Sequence, residues 1–245
     1  MYLLHLNIFC LISSLPYNFI ILFYRVGEDE EVEVPIFACV LVFPTIQHQF
    51  HIFEPRYRLM LRECLQSNSK KFGICIGDKD GGHSNVGTIV EVKLAKFLPD
   101  GRTIIDVVGV RRFEVAGKQL TNGIPFAKVK YFEDNINLCR SDIGREQLIN
   151  KCMAVYNQLS NYMGNLHPSE RECINKALGL MPLPNADPTE LLHGESWIWW
   201  ATAALPINDK AKLMMIKSDS VLDRVTILQR FLGVLSKMKN SQGNK

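Results

Sequence analysis

The chain has seven cysteines, Cys10, Cys39, Cys64, Cys75, Cys139, Cys152 and Cys173, and no two stand closer than eleven positions. It therefore has no C-x-x-C pair, which excludes a zinc finger or RING-type cage built from closely paired ligands. An odd, scattered set also argues against a disulfide framework and suits reduced thiols in a cytoplasmic protein. Charge of one sign is lacking too. The 28 Lys and Arg against 25 Asp and Glu leave a net charge of +3, too even to mark a nucleic-acid binder. No P-loop occurs, since Gly117-Lys118 lacks both the upstream glycine spacing and the following Ser or Thr. No G-x-S-x-G occurs either. Asp78-x-Asp80 opens like a calcium loop, but His83 stands where glycine is required and Ile89 where the bidentate glutamate belongs. The residues thus offer no catalytic, metal-binding or cofactor-binding set.

What is present is a folded protein. The 245 residues are 47% apolar and 22% charged, enough for one large domain or two small ones with a sizeable core. Residues 1–24 contain no Asp, Glu, Lys or Arg and are long enough to span a bilayer. His5, Asn7, Ser13, Ser14, Pro16 and Asn18 interrupt the run. Three readings stand: a membrane anchor, a signal peptide, or a segment outside the functional domain. The acidic run Glu28, Asp29, Glu30, Glu31 and Glu33 after it reads as a solvated linker.

From about 34 to 132 the pattern is mostly strand. Pro35–Val42 and Phe72–Ile76 are short apolar runs. Gly87–Leu98 and Arg102–Val108, joined by Pro99-Asp100-Gly101, make a hairpin signal. Phe113–Val115 and Phe126–Phe132 supply further strands. Many short strands at this spacing predict a barrel or rolled sheet. One helix interrupts them, starting at Pro55 with Tyr57, Leu61, Cys64 and Leu65 on one side.

From about 140 the period becomes helical. Leu148, Cys152, Val155, Leu159 and Tyr162 share a face, and His167-Pro168-Ser169 starts a second helix that stops at Gly179. Asp187-Pro188 reads as the start of a helix carrying Trp197, Trp199 and Trp200 and ending at Leu205-Pro206. A last helix begins after Ser220, with Asp223 as a capping-box partner and Val221, Val225, Leu228, Leu232 and Leu235 as its stripe. The tryptophans read as core rather than as a cation cage, and His48 and His51 as structural histidines.

Two segments are distinctive in combination. One is Phe43-Pro44 followed by His51-Ile-Phe-Glu-Pro-Arg-Tyr-Arg58. The other is Gly87-Thr88-Ile89 followed by Phe97-Leu-Pro-Asp-Gly-Arg102 and Gly109-Val-Arg-Arg-Phe-Glu-Val115. Their order and spacing resemble the N-terminal substrate-recognition domain of Lon proteases over about 32–238. The tail, with Trp197-Ile-Trp-Trp200 and Ala204-Leu-Pro-Ile207, looks closer to the LON-domain/RING-finger ubiquitin ligases.

The resemblance implies an α+β fold, a PUA-like β-barrel followed by a C-terminal helical bundle. It divides the chain into an apolar segment with its linker (1–31), a LON β-barrel subdomain (32–136) and a helical subdomain (137–240). It implies a non-catalytic module that recognises protein substrates or partners, with no nucleic acid. Membrane contact arises only if 1–24 is an anchor. The alternatives are a membrane-tethered adaptor of the same kind and a fragment of an ATP-dependent Lon-type protease.

The hallmark residues Phe53, Glu54, Pro55, Arg56, Tyr57, Pro99, Gly101, Gly109 and Arg112 are expected to hold the fold together. Glu54 is expected to be partly buried and paired. Arg56, Arg58 and Arg112 are the candidates, with Arg112 favoured because that contact would link two distant motifs; capping of nearby N–H groups is the alternative.

Overall fold

The computed structural model describes residues 32–78, 82–121, 123–135, 141–185 and 195–242. The apolar segment 1–24, the acidic linker up to Glu31 and the expected helix start at Asp187-Pro188 lie outside these residues. The fold is mixed α/β around a six-stranded sheet. Its strands are β1 (Val32–Cys39), β2 (Gln47–Ile52), β3 (Lys71–Gly77), β4 (His83–Phe97), β5 (Thr103–Thr121) and β6 (Ile124–Tyr131), with helix α1 (Pro55–Gln66) between β2 and β3. The order is β2-β5-β4-β3-β1-β6, and β5 pairs with β6 as well. The pairings therefore run in a circuit from β5 through β4, β3, β1 and β6 back to β5. Only β1 and β3 are parallel.

The two strands read from sequence on either side of Gly109 are one strand. β5 buries Thr103, Ile105, Val107 and Gly109 on alternate positions, then changes phase. Val90 pairs with Gly109 but Ile89 with Arg111, so Val110 is an extra residue. A bulge of this kind re-aims the side chains beyond it. Past Val110, the buried neighbours Arg112 and Phe113 point to opposite faces, Phe113 into a core with Val34, Ile36, Cys75, Ile89, Ala127 and Val129.

β2 was not visible in the sequence, because Gln47, His48 and Gln49 give it no apolar run. It pairs with β5 along one side. α1 fits its expectation: proline stands in the first turn, and Tyr57, Met60, Leu61 and Cys64 are buried. They meet Phe37, Ile52, Phe72, Val92, Ile105 and Val107 from the inner face of the sheet.

Among the described residues five helices come after the sheet: α2 (Asp142–Gly164), α3 (Pro168–Leu178), α4 (Ser196–Ala204), α5 (Asp209–Lys217) and α6 (Val221–Gln242). α2 buries Leu148, Cys152, Val155, Leu159 and Met163, and packs against α6 through Val225, Leu228 and Leu232. His167 caps α3, with Glu170 completing a capping box. α5 is an addition to the sequence reading, capped by the Asn208 side chain on Ala211 N–H at 2.9 Å. α4 carries the three tryptophans, all buried among the helices with Phe43, Ile46 and Val86 from the sheet side. Among the described residues no helix is long and apolar enough to cross a membrane.

Candidate functional site

The expected pairing of Glu54 with Arg112 is not formed. Glu54 precedes α1 at the surface, its side chain 41% exposed, and Arg56 Nε donates to its Oε2 at 2.9 Å. The carboxylate caps no backbone N–H; only the Glu54 carbonyl accepts, from Arg58 N–H at 3.0 Å. The near neighbour won because position 56 lies on the same exposed first turn, whereas Arg112 faces the helices from mid-sheet. Arg56 also lies over the Tyr57 ring, 4.6 Å from its centroid. Tyr57 itself is buried, edge-on to Phe37 at 4.6 Å.

Arg112 has other partners. Its Nη2 donates to Asp134 Oδ1 at 2.6 Å, and its Nη1 donates to the Ile216 carbonyl at 2.7 Å and to that of Ser218. Arg224 Nη1 donates to the same Asp134 Oδ1 and to the Ser218 carbonyl, each at 2.7 Å, and its Nη2 donates to Oδ2. One carboxylate thus sits between two guanidinium groups, and all three side chains are sealed from solvent. The Trp199 ring lies 5.5 Å from Arg112 and 5.0 Å from Arg224, an electrostatically favourable place for a cation. Burial pulls Arg112 down to about 10, opposed by the Asp134 charge. Among the described residues the Nε atoms of both arginines have no hydrogen-bond partner. The cluster ties β5, the end of β6, the end of α5 and α6 together. Sequence reasoning missed Asp134 and Arg224, which carry no local signal.

The other hallmark segments meet at one end of the sheet. Pro99-Asp100-Gly101 makes the β4–β5 turn, closed by Leu98 N–H on the Arg102 carbonyl at 2.9 Å. Gly101 has φ 84°, a left-handed conformation natural to glycine. Asp100 Oδ2 accepts from Arg102 Nε at 2.7 Å. Arg58 of α1 lies against the turn, its Nη2 2.5 Å from where a Gly101 side chain would begin. Ile52, Thr103 and Phe97 stand side by side on β2, β5 and β4. Phe53, the next residue after Ile52, is 64% exposed and Phe97 67% exposed. Gly109 serves a close approach: a Cβ there would stand 2.0 Å from the Phe43 carbonyl oxygen. Its own N–H and C=O bond Ile46 and Thr45.

A cleft of about 380 Å³ opens between β1, α1 and β6, lined by Val34, Met60, Cys64, Lys71, Phe126 and Tyr131 among others. It offers little chemistry. Burial pushes the Cys64 thiol up to about 11, away from a reactive thiolate. His48 and His51 alternate along β2 and so face opposite ways. His48 stacks on Phe50 at 6.0 Å, and burial lowers its pKa. Among the described residues no group of three His, Cys, Asp or Glu side chains could hold a metal ion. The tryptophans form no open cage: Trp197 Nε1 donates to Glu195 Oε2 at 2.6 Å and Trp200 Nε1 to the Gly179 carbonyl at 3.1 Å.

This arrangement is the fold of a Lon N-terminal domain. The Lon N-terminal domain protein of Xanthomonas campestris superposes with a TM-score of 0.53 at 21% identity, over 80% of this chain and 96% of that one. The N-terminal domain of the Mycobacterium avium complex Lon protease superposes with a TM-score of 0.55 at 14% identity, over 82% and 98%. The sequence carries the relationship further. Residues 33–233 match the ATP-dependent protease La (LON) substrate-binding domain, and the chain belongs to that family. A LON peptidase N-terminal domain and RING finger protein of Schizosaccharomyces pombe is 30% identical over 100 residues. The match covers 34% of this chain and 20% of that relative, so the chain spans only a small part of it.

Proposed function

We propose that this chain is a non-catalytic recognition module that binds protein substrates or partners, related to the C-terminal part of a RING-type ubiquitin ligase. The observation that carries the reading is the family match across residues 33–233, a domain described as substrate-binding. The S. pombe relative, whose name joins this domain to a RING finger, supports the ligase connection. The circuit of strands is the PUA-like barrel of the family, and α2–α6 are its helical bundle, with subdomains at 32–136 and 137–240. In this reading Phe53, Glu54, Pro55, Arg56, Tyr57, Pro99, Gly101, Gly109 and Arg112 build the module rather than touch its partner, Phe53 excepted by its exposure. The cytoplasm is its compartment, supported by Cys39, Cys64, Cys75, Cys152 and Cys173 being free thiols.

The test is binding of the full chain to a carboxymethylated, unfolded model protein and to its folded form, by biolayer interferometry. Saturable binding to the unfolded form is expected, with no ubiquitin transfer when activating and conjugating enzymes are added. No binding to either form overturns the reading.

A further inference from the structure

We propose that the outer edge of β2 is the docking surface, and that its occupant is an extended polypeptide segment, apolar at alternate positions, added to the sheet as a further strand. This inference deepens the proposed recognition role and rests on it. β2 stands at the end of the strand order and pairs only with β5 among the described residues. The phase of that pairing is set by Gly109 N–H, which donates to the Ile46 carbonyl at 3.0 Å. In an antiparallel ladder, alternate residues turn both backbone groups toward the neighbouring strand, and those between turn both away. His48, Phe50 and Ile52, opposite Val107, Ile105 and Thr103, thus direct their N–H and C=O groups to β5. Gln47, Gln49 and His51 turn theirs outward, where no described residue bonds them, and all three residues are exposed.

Sheet edges meant to stay in solvent are commonly blunted by proline, lysine or a bulge. β2 has none of these. Its sequence is Gln-His-Gln-Phe-His-Ile, and its register with β5 runs unbroken, whereas those of β4 with β3 and β5 shift. A row of alternating donors and acceptors at strand spacing is matched by a second extended backbone. The two faces add a preference. Occupant residues opposite Gln47, Gln49 and His51 share the exposed face and can be polar. Those between them continue the face of His48, Phe50 and Ile52, where Phe50 is only half-buried, edge-on to Phe37 at 5.5 Å. β2 carries no Asp, Glu, Lys or Arg, so the edge selects backbone and apolar spacing rather than charge. A second copy joined through β2 alone would pair two strands of six residues, short of the roughly 1,200 Å² of a stable interface. An unfolded chain needs only one short stretch to fill the edge.

The experiment uses the full chain and a short fluorescein-labelled peptide alternating valine and serine. With valine on the Phe50 face and serine on the Gln49 face, the serine N–H groups point to β2 and the valine N–H groups away. Binding read by anisotropy should survive N-methylation of the valines and weaken about tenfold or more on N-methylation of the serines. Gln49→Pro deletes an outward N–H and no bond to β5, a place where an edge strand accepts proline. It should weaken binding by a similar factor at a near wild-type thermal midpoint. Amide exchange followed by NMR reads the edge directly, whether or not that variant folds. In the free chain Gln47, Gln49 and His51 should exchange faster than His48, Phe50 and Ile52, and added peptide should slow the first three. Peptide binding that leaves those three unchanged overturns the location. Equal binding of the two methylated peptides overturns backbone recognition. Slow exchange at the three amides without peptide, lost on dilution, assigns the edge to a second copy and overturns the occupant. If the peptide fails and the unfolded model protein binds without slowing these amides, the edge is wrong and recognition stands. If nothing binds, the recognition reading falls and takes this inference with it.

Discussion

Arg112 and Asp134 form a salt bridge of 2.6 Å in which neither side chain is open to solvent. Arg224 closes the other side of the same carboxylate. Removing the carboxylate leaves two buried cations facing each other. Asp134→Asn should destabilise by about 3–5 kcal/mol, read as a fall in the urea midpoint at constant slope. Replacing Arg112, Asp134 and Arg224 together by apolar residues of similar volume should cost less than Asp134→Asn alone. A triple variant that loses more would show that the bonds to the Ile216 and Ser218 carbonyls dominate.

The exposed pair of Glu54 and Arg56 should behave oppositely. Glu54→Gln is expected to cost under about 1 kcal/mol, the ordinary range for a solvated ion pair. In a double-mutant cycle with Arg112→Met the two losses should simply add.

Gly109→Ala places a methyl group into the Phe43 carbonyl, and backbone cannot yield as a flexible side chain does. A loss of about 1–3 kcal/mol or more is expected. Gly233, in the helical interior of α6, has nothing within 4 Å of such a methyl. Gly233→Ala should therefore stabilise by about 0.5–1 kcal/mol. Thermal midpoints moving in opposite directions check both.

Burial pushes the Glu195 carboxyl up, opposed by bonds from Asn185 N–H and the Trp197 indole. Below the unfolded carboxyl value of about 4.3 both states hold the proton, and the stability tied to this group is fully present. It is lost as pH rises through the raised folded value. Glu195→Gln removes that slope. The stability of the variant relative to wild type should grow as pH rises from about 4 toward neutrality. A difference that does not change over this window would mean that the fold does not raise the Glu195 carboxyl.

The elements with local punctuation were legible in the sequence. Pro55 opens α1, His167-Pro168 opens α3, Gly179 ends it, and Ser220 Oγ accepts from Asp223 N–H at the start of α6. The hairpin at Pro99-Asp100-Gly101 was equally plain. What failed was long-range. A polar strand such as β2 has no hydrophobic period to read. The bulge at Val110 decides which side of β5 Arg112 faces, and nothing in the neighbouring residues announces it. Asp134 and Arg224 stand 90 positions apart, so the partner of Arg112 is chosen by the fold and not by sequence distance. The exposure of Phe53 and Phe97 was likewise hidden, since an aromatic ring in a strand pattern reads as core.

Arg112 belongs to the sheet, while both carbonyls it holds, of Ile216 and Ser218, and its charged neighbour Arg224 belong to the helical part of the chain. Cutting the protein between these parts would leave Arg224 without its carboxylate on the helical piece and open the Arg112–Asp134 pair of the sheet piece to water. The sheet and the helices are thus expected to melt in a single transition. A gene fusion that borrows one without the other should yield an insoluble product.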